Sequence, residues 1–360
     1  MINKERTDQD RALDSGYSPT VLEPAYPAMT WRRRVVLSLP ILAVLGAIPA
    51  AQATDALPDY PPGELPIATG DRLSAFYQYG LGLIAVIERQ LPGLTPYLNV
   101  TNAAVDNLER VQDGRSAVAF TQADMVAKWR LSRAPDVVAL ARLYDDYLHV
   151  VVRASSPIER LADLRGRVIW LGSRGTSADV TARRLLREVG LRPVPLRESA
   201  GTPDEVRLSD ERNIERANAA FHAGDIDAMF IFGGLPTAGV QHLGQLQPIR
   251  LIDLTEETVL MRQRGARYYS QLTIPRAIYG VDAIGTVGVP IYLVVRRDMD
   301  ENLAYWLTRV LFEHRDILAE VYRPAERLNP RVAINTDELP LHAGAIRYYR
   351  EAKGVSGRLT

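Results

Sequence analysis

Short apolar strand-like runs and amphipathic helical runs alternate along the chain from Leu65 to His314, with glycine, serine and threonine gathered where the strand runs end. Such alternation leaves few folds open: it favours an α/β architecture in which helices cover both faces of mostly parallel sheets. The clearest unit runs from Val168 to Leu186. Val168 to Leu171 reads as a strand and Gly172 to Ser177 as a sharp turn. A helix follows, because Ala178, Ala182, Leu185, Leu186 and Val189 recur at i, i+4, i+7, i+8 and i+11. Thr176 or Ser177 can cap that helix while Gly172 and Gly175 let the backbone reverse. Unpaired N–H groups and the positive end of the helix dipole then meet at one point, which is a receptor for a small anion. The same pattern also suits an ordinary capped helix with no ligand.

At 360 residues the chain exceeds what one hydrophobic core usually organises, so two lobes are expected. Strands are predicted over Leu65–Thr69, Tyr97–Val100, Ala117–Thr121, Val138–Leu143 and Leu148–Val152, with helices over Ser74–Gln90 and Val105–Asp113. Ser155-Ser156-Pro157 opens a second set, with strands near Val168–Leu171, Ala228–Phe232 and Arg250–Leu254 and a helix over Asn213–Ala223. Gly201–Asp210 is polar and reads as a loop. The strand from Gly288 to Arg296 echoes His149–Arg153, so the two are expected to cross between the lobes; a helix over Asn302–His314 follows, with Leu303, Trp306, Leu307, Val310 and Leu311 on one face. The implied order is a first lobe over 64–152, a second over 153–286, and a return to the first over 287–360.

The segment 1–28 is polar and expected to be disordered, or to precede a true start at Met29. Residues 29–53 have a signal-sequence layout: Arg32-Arg33-Arg34, an apolar run from Val35 to Ala50 broken by Ser38, Pro40 and Pro49, and the small-residue close Ala51-Gln52-Ala53. An uncleaved anchor is the alternative. The paired arginines before Val35 loosely resemble a twin-arginine export signal. Residues 54–63 form a Pro-rich linker, and the domain beyond it is expected to work outside the cytoplasm.

Lys plus Arg and Asp plus Glu each number 43, so no basic field exists to gather nucleic acid. Absence of cysteine removes disulfides, thiolate metal sites and cysteine nucleophiles, and His149, His222, His242, His314 and His342 are too scattered for a metal site. No metal or cofactor is expected. There is no Gly-x-Ser-x-Gly elbow, phosphate-loop lysine or dinucleotide fingerprint. Asp145-Asp146 is a carboxylate pair, but neighbours in a strand point in different directions and rarely act as a dyad. An enzyme is therefore not expected.

Four turns follow apolar strands and are rich in glycine, hydroxyl or amide groups: Thr69 to Ser74, Thr121 to Asp124, Gly172 to Ser177 and Gly233 to Thr237. Ligands of open parallel sheets bind beyond the carboxyl ends of the strands, so the four turns, two from each lobe, could line one crevice closed by hinge bending. Arg72 and Arg174 sit inside two of them, where a bidentate carboxylate contact is reasonable; solvent exposure is the alternative. Tyr77 and Tyr79 could close over a ligand or belong to the core.

The order of landmarks resembles the TAXI-type solute receptors of TRAP transporters, from about Leu65 to Gly354. The landmarks are Ile67-Ala68-Thr69-Gly70 with Phe76-Tyr77 and Gly80; Val105-Asp106-Asn107-Leu108 with Gly114 and Ala119 to Asp124; and Ala141 to Tyr144 leading into Leu148 to Arg153. They continue through Leu161 to Gly166, Gly175-Thr176, Phe232 to Pro236, Thr273 to Tyr279 and Pro340 to Glu351. The resemblance implies a two-lobed type II periplasmic-binding-protein fold, each lobe a mostly parallel sheet flanked by helices, joined by crossover strands. It implies a small carboxylate ligand, a glutamate-like amino acid or a dicarboxylate, held in the interlobe cleft and delivered to a membrane-embedded permease. By position it implies ligand roles for Thr69, Gly70 and Tyr77, for Gln122 and Asp124, for Ser173, Gly175, Thr176 and Ser177, and for Gly233 and Gly234; Arg72, Ser74 and Arg174 join them as candidates from the turns. The segment around His342 and Gly344 matches a structural element. Arg72, Leu73, Ser74 and Ala75 depart from the family's glycine-rich loop, and Ala104 stands where a serine is common, which leaves the ligand open. The same fold feeding an ABC permease or a sensor kinase is the alternative, and a secreted α/β hydrolase a more distant one. The protein is expected to act as a monomer.

Overall fold

The structure, a computed structural model, describes residues 59–356 apart from 73, 132–135, 200 and 337–338. The expected extension over 1–28, the signal-like segment 29–53 and the first half of the linker lie outside the described residues. Among the described residues, no helix is long and apolar enough to cross a membrane.

Among the described residues eleven strands run in chain order as β1 (Gly63–Ala68), β2 (Leu94–Asn99), β3 (Val118–Gln122), β4 (Val137–Arg153), β5 (Val168–Trp170), β6 (Arg192–Pro195), β7 (Glu205–Leu208), β8 (Ala228–Gly233), β9 (Ile249–Leu251), β10 (Ser270–Ile274) and β11 (Ile284–Arg296). The principal helices are α1 (Ala75–Gln90), α2 (Ala104–Gln112), α3 (Ala123–Arg130), α4 (Ser177–Glu188), α5 (Ile214–Ala223), α6 (Ala238–Leu246) and α7 (Thr255–Gln263). After them come α8 (Arg276–Tyr279), α9 (Glu301–Glu313), α10 (Arg315–Val321), α11 (Pro330–Ala333) and α12 (Ala343–Ser356).

The strands form one sheet in the order β2-β1-β3-β11-β4-β8-β5-β7-β6, with β9 and β10 on side branches. Each wing is parallel: β1 with β2 and β3 on one side, and β5 with β8 and β7, then β7 with β6, on the other. Between the wings run β4 and β11, antiparallel to each other and to their other neighbours β3 and β8. The N-terminal half of β4 pairs with β11, and its C-terminal half with β8 and β9. β4 thus bonds to β11 on one side and to β8 and β9 on the other, while β11 bonds to β3, β4 and the side strand β10.

Helix formation follows ordinary rules. Ser74 caps α1 by accepting from the Tyr77 N–H (3.2 Å), Thr176 caps α4 through the Asp179 N–H (3.4 Å), and Asn213 caps α5 through the Arg216 N–H (3.0 Å). In α1, Phe76, Tyr79, Leu83, Val86 and Ile87 make a buried stripe. Tyr79 thus belongs to the core, stacked with Tyr144 at 5.9 Å between centroids. The predicted α9 stripe is buried at Leu303, Leu307, Val310 and Leu311, while Trp306 is half-buried with the Arg309 guanidinium 4.8 Å from its ring centroid. A side chain at Gly344 would strike the Glu301 carbonyl, and the His342 Nδ1 accepts from the Gly344 N–H (3.1 Å), so this segment locks α12 to α9.

Several elements differ from expectation. Residues 137–153 form one strand, where Tyr144-Asp145-Asp146-Tyr147 interrupts the apolar run and suggests two. Glu205–Leu208 is strand β7 inside the predicted loop, because its one buried charge, Glu205, is satisfied by Arg192 (2.7 Å), Ser199 (2.8 Å) and the Gly201 N–H (2.9 Å). β6 and β10 are too short and polar to stand out from their flanks. Thr121 to Asp124 is no turn: β3 passes straight into α3.

Candidate functional site

A cleft of about 1020 Å³ opens where the carboxyl ends of the parallel strands of both wings face each other. Its wall is made by the starts of six helices: Ser74 of α1, Ala103 of α2, Gln122 of α3, Thr176 of α4, Asn213 of α5 and Thr237 of α6. This follows from the βαβ connections, which place every helix N-terminus at the same edge as the strand C-termini. Each N-terminus carries roughly half a positive charge, and the N-cap residues of α2, α3 and α6 make no side-chain capping hydrogen bond, although in α3 the Asp124 carboxylate accepts from the Met125 N–H. Ala103 adopts φ 65°, a left-handed conformation unusual for a residue with a side chain.

Charge in the wall leans the same way. Arg72, Arg174, Arg212, Arg216 and Arg323 line the cleft, against Asp71, Glu215 and Asp146. Among the described residues no carboxylate pairs with Arg72, Arg174, Arg212 or Arg216, whereas Arg323 lies 3.9 Å from Glu326. The wall is thus a converging set of donors and cations, suited to an anionic group.

Of the residues predicted from sequence, Gly70, Arg72, Ser74, Gln122, Ser173, Arg174, Thr176, Ser177, Gly233 and Gly234 lie on this cleft. Four do not. Thr69 is buried below it, its hydroxyl donating to the Asn99 carbonyl (3.0 Å), and Tyr77 sits one turn into α1, off the cleft wall. Gly175 (φ 84°) turns the backbone of its loop and is not part of the cleft lining. Asp124 is 2% exposed and lies behind the wall, accepting from Ser177 Oγ (2.7 Å), Thr181 Oγ1 (3.3 Å) and the Met125 N–H (2.9 Å). Desolvation pushes its carboxyl above the usual range. Asp124 thereby ties the start of α3 to the start of α4 without reaching solvent.

Each loop has its own support. In the first wing, Asn107 Nδ2 donates to the carbonyls of Thr69 (2.6 Å) and Phe120 (2.8 Å), while its Oδ1 accepts from Thr101 (2.6 Å). In the second, the Thr176 hydroxyl donates to the Ser173 carbonyl (2.8 Å), and the Ser173 hydroxyl to Arg212 (3.3 Å). The turn after β8 rests on a relay. His149 Nδ1 donates to the Ile231 carbonyl (3.2 Å), Tyr279 Oη donates to His149 Nε2 (3.0 Å), and the Thr237 N–H donates to Tyr279 Oη (2.7 Å). Burial lowers the His149 pKa to about 4, which keeps the ring neutral and makes this assignment of protons consistent. Gly234 is the close-approach residue here, because a Cβ would lie 2.6 Å from Pro324 and 2.8 Å from the Tyr322 hydroxyl.

Sequence reasoning missed Arg212, Arg216, Asp146, Tyr322 and Arg323. The turn before α5 carries Arg212 and holds the Trp170 indole through the Glu211 carbonyl (2.9 Å). It escaped notice because β7 reads as loop, so nothing marked Ser209–Arg212 as a turn after a strand. Asp146 was visible as half of a carboxylate pair, but its partner turns away: Asp145 meets Arg142 (2.6 Å) while Asp146 faces the cleft. Tyr322 and Arg323 arrive from the C-terminal segment after α10, and no local pattern announces them.

Two parallel wings flanking the antiparallel strands β4 and β11, with six helix N-termini opening on one cleft, make a periplasmic-binding-protein-like fold of type II topology. The chain belongs to the NMT1-like family, whose model matches residues 67–353. Among solved structures it is similar to the periplasmic aliphatic sulphonate binding protein SsuA from Escherichia coli, at 18% identity over 81% of this chain and 83% of that one, with a TM-score of 0.47. It is similar also to an ancestral arginine-binding protein bound to arginine, at 13% identity over 72% and 97%, with a TM-score of 0.47. A third likeness is to the alkanesulfonate-binding protein SsuA from Xanthomonas axonopodis pv. citri bound to MOPS, at 17% identity over 82% and 92%, with a TM-score of 0.41.

Proposed function

We propose that the protein is an exported, non-enzymatic receptor that closes on a small carboxylate outside the cytoplasm and presents it to the membrane-embedded permease of a TRAP transporter. The observation that carries the reading is the cleft wall itself: six helix N-termini and four arginines without carboxylate partners among the described residues, aimed at one volume. The lobes in this reading are 64–152 with 287–360, and 153–286. Bending at β4 and β11 brings Gly70, Arg72, Ser74 and Gln122 towards Ser173, Arg174, Thr176, Ser177, Gly233 and Gly234. Affinity comes from preformed backbone donors and charge-assisted bonds, so little ordering is needed on binding. The TRAP partner is supported by the ordered TAXI-type landmarks.

Thermal unfolding against a panel of amino acids, mono- and dicarboxylates tests the reading. A ligand at about 100 times its dissociation constant adds about 2.7 kcal/mol of stability, an easily measured shift. Silence across the panel, on folded and ligand-free protein, overturns it. A neighbouring gene for a large multi-span TRAP permease decides for that partner over an ABC permease or a sensor kinase.

A further inference from the structure

Asp146 is the anomaly of the cleft. A wall built to attract anions holds at its floor a carboxylate that is 3% exposed. One oxygen, Oδ2, accepts from Gln122 Nε2 (3.2 Å); the other, Oδ1, is buried and receives no hydrogen bond from any described residue. A buried carboxylate oxygen without a donor is costly, and the protein has not spent a basic residue on it. The adjacent Asp145 has Arg142, and the cleft arginines leave Asp146 unpaired among the described residues. What such a position lacks is a donor, best a cationic one, arriving from the cleft.

We propose that Asp146 is the specificity-determining residue of this receptor: its carboxylate receives the ammonium group of the ligand, so the cleft takes amino acids and rejects the corresponding acids that lack the amino group. The inference rests on the receptor reading above and narrows its ligand from small carboxylates to zwitterions. The ligand's carboxylate meets the arginines and helix N-termini, and its ammonium meets Asp146, so the two ends of the site carry opposite charge. A dicarboxylate would bring a second negative charge against a buried one.

The groups that face Asp146 are acidic or neutral. Asp145 and Asp124 act on it by charge, Gln122 by its hydrogen bond, and the hydroxyls of Tyr144 and Tyr322 lie close enough to sense it; among the described residues no basic group joins them. Desolvation first, then these carboxylates, raise its pKa to about 7 despite the Gln122 hydrogen bond, so an incoming ammonium meets a group that is half protonated near neutrality. Acid must therefore weaken capture of a cation and strengthen capture of a second carboxylate, which would share the proton.

Isothermal titration with matched pairs tests this: L-glutamate against glutarate, L-aspartate against succinate, and L-alanine against propionate, at pH 8 and pH 6, on the wild type and D146N. In the wild type at least one amino acid should bind at least about tenfold more tightly than its deaminated partner, with affinity falling from pH 8 to pH 6. In D146N that preference should collapse to within about threefold, with no pH dependence, by loss of amino-acid affinity and not of acid affinity. A deaminated acid that binds the wild type as well as its amino acid at pH 8 overturns the proposal and leaves the receptor reading standing. So does a preference that survives in folded D146N. Failure of every compound to bind folded wild type overturns both. The wild-type pairs and their pH dependence decide the matter even if D146N does not fold.

Discussion

The turn after β1 and the turn after β8 face the same cleft, yet they are held by buried side chains of different chemistry. Asn107 fixes the first with an amide that never changes charge. His149 fixes the second through Tyr279, with an imidazole whose neutrality is maintained by burial. The difference teaches that two walls of one site can respond differently to conditions: the first is indifferent to pH, whereas the second is secure only while His149 stays uncharged.

Acid is the strongest way to test the contrast. The folded-state pKa of His149 is lowered from 6.5 to about 4, so the unfolded chain binds this proton more readily. Its contribution to stability is complete above about pH 6.5 and is lost as pH falls towards 4, a difference of roughly 3 kcal/mol for this one group. Urea unfolding between pH 7 and 4 should show that loss in the wild type and a flatter dependence in H149Q; equal slopes would remove the histidine from the account. For the other wall, Asn107→Ala strands the Thr69 and Phe120 carbonyls and should cost about 2–3 kcal/mol, by the same amount at pH 7 and pH 5. A pH-dependent cost there would break the comparison.

Smaller effects sharpen it. Tyr279→Phe leaves the Thr237 N–H and His149 Nε2 without their shared hydroxyl, and an expected loss of about 1–2 kcal/mol is checked by thermal unfolding. The variant should also raise the apparent pKa of His149, read by NMR, if the relay runs in the direction assigned. Least of all for stability is Arg174→Ala, on an exposed side chain: a change within about 0.5 kcal/mol, with ligand affinity reduced about tenfold if the guanidinium meets the ligand carboxylate. Unchanged affinity for every ligand that binds would leave Arg174 facing water and shift the anion contact to the helix N-termini.

How much was legible in the sequence depended on how local the physics was. The turn from Gly172 to Ser177 was readable because its signals, positive-φ glycines, a capping threonine and a 3.6-residue apolar period, act within a few residues. The α9 stripe was readable for the same reason. Strand β4 was not readable as one element, since its polar centre looks like a break in sequence; it is polar because Asp146 faces the cleft in space. Asp124 shows the converse error. It follows a strand at the position of a ligand loop, but only the approach of α4 decides that its carboxylate is consumed by Ser177 and Thr181.

By itself the sequence determined the α/β class, the positions of most helices and strands, and the edge of the sheet where a site must lie, because periodicity, caps and turn chemistry are properties of neighbouring residues. The tertiary structure alone decided which charges meet there. Arg212 and Arg216, Arg323 and Asp146 come from three distant stretches of chain, and their convergence depends on strand order and on which face of β4 turns inward. Those are outcomes of packing the whole sheet, which no short stretch of residues encodes.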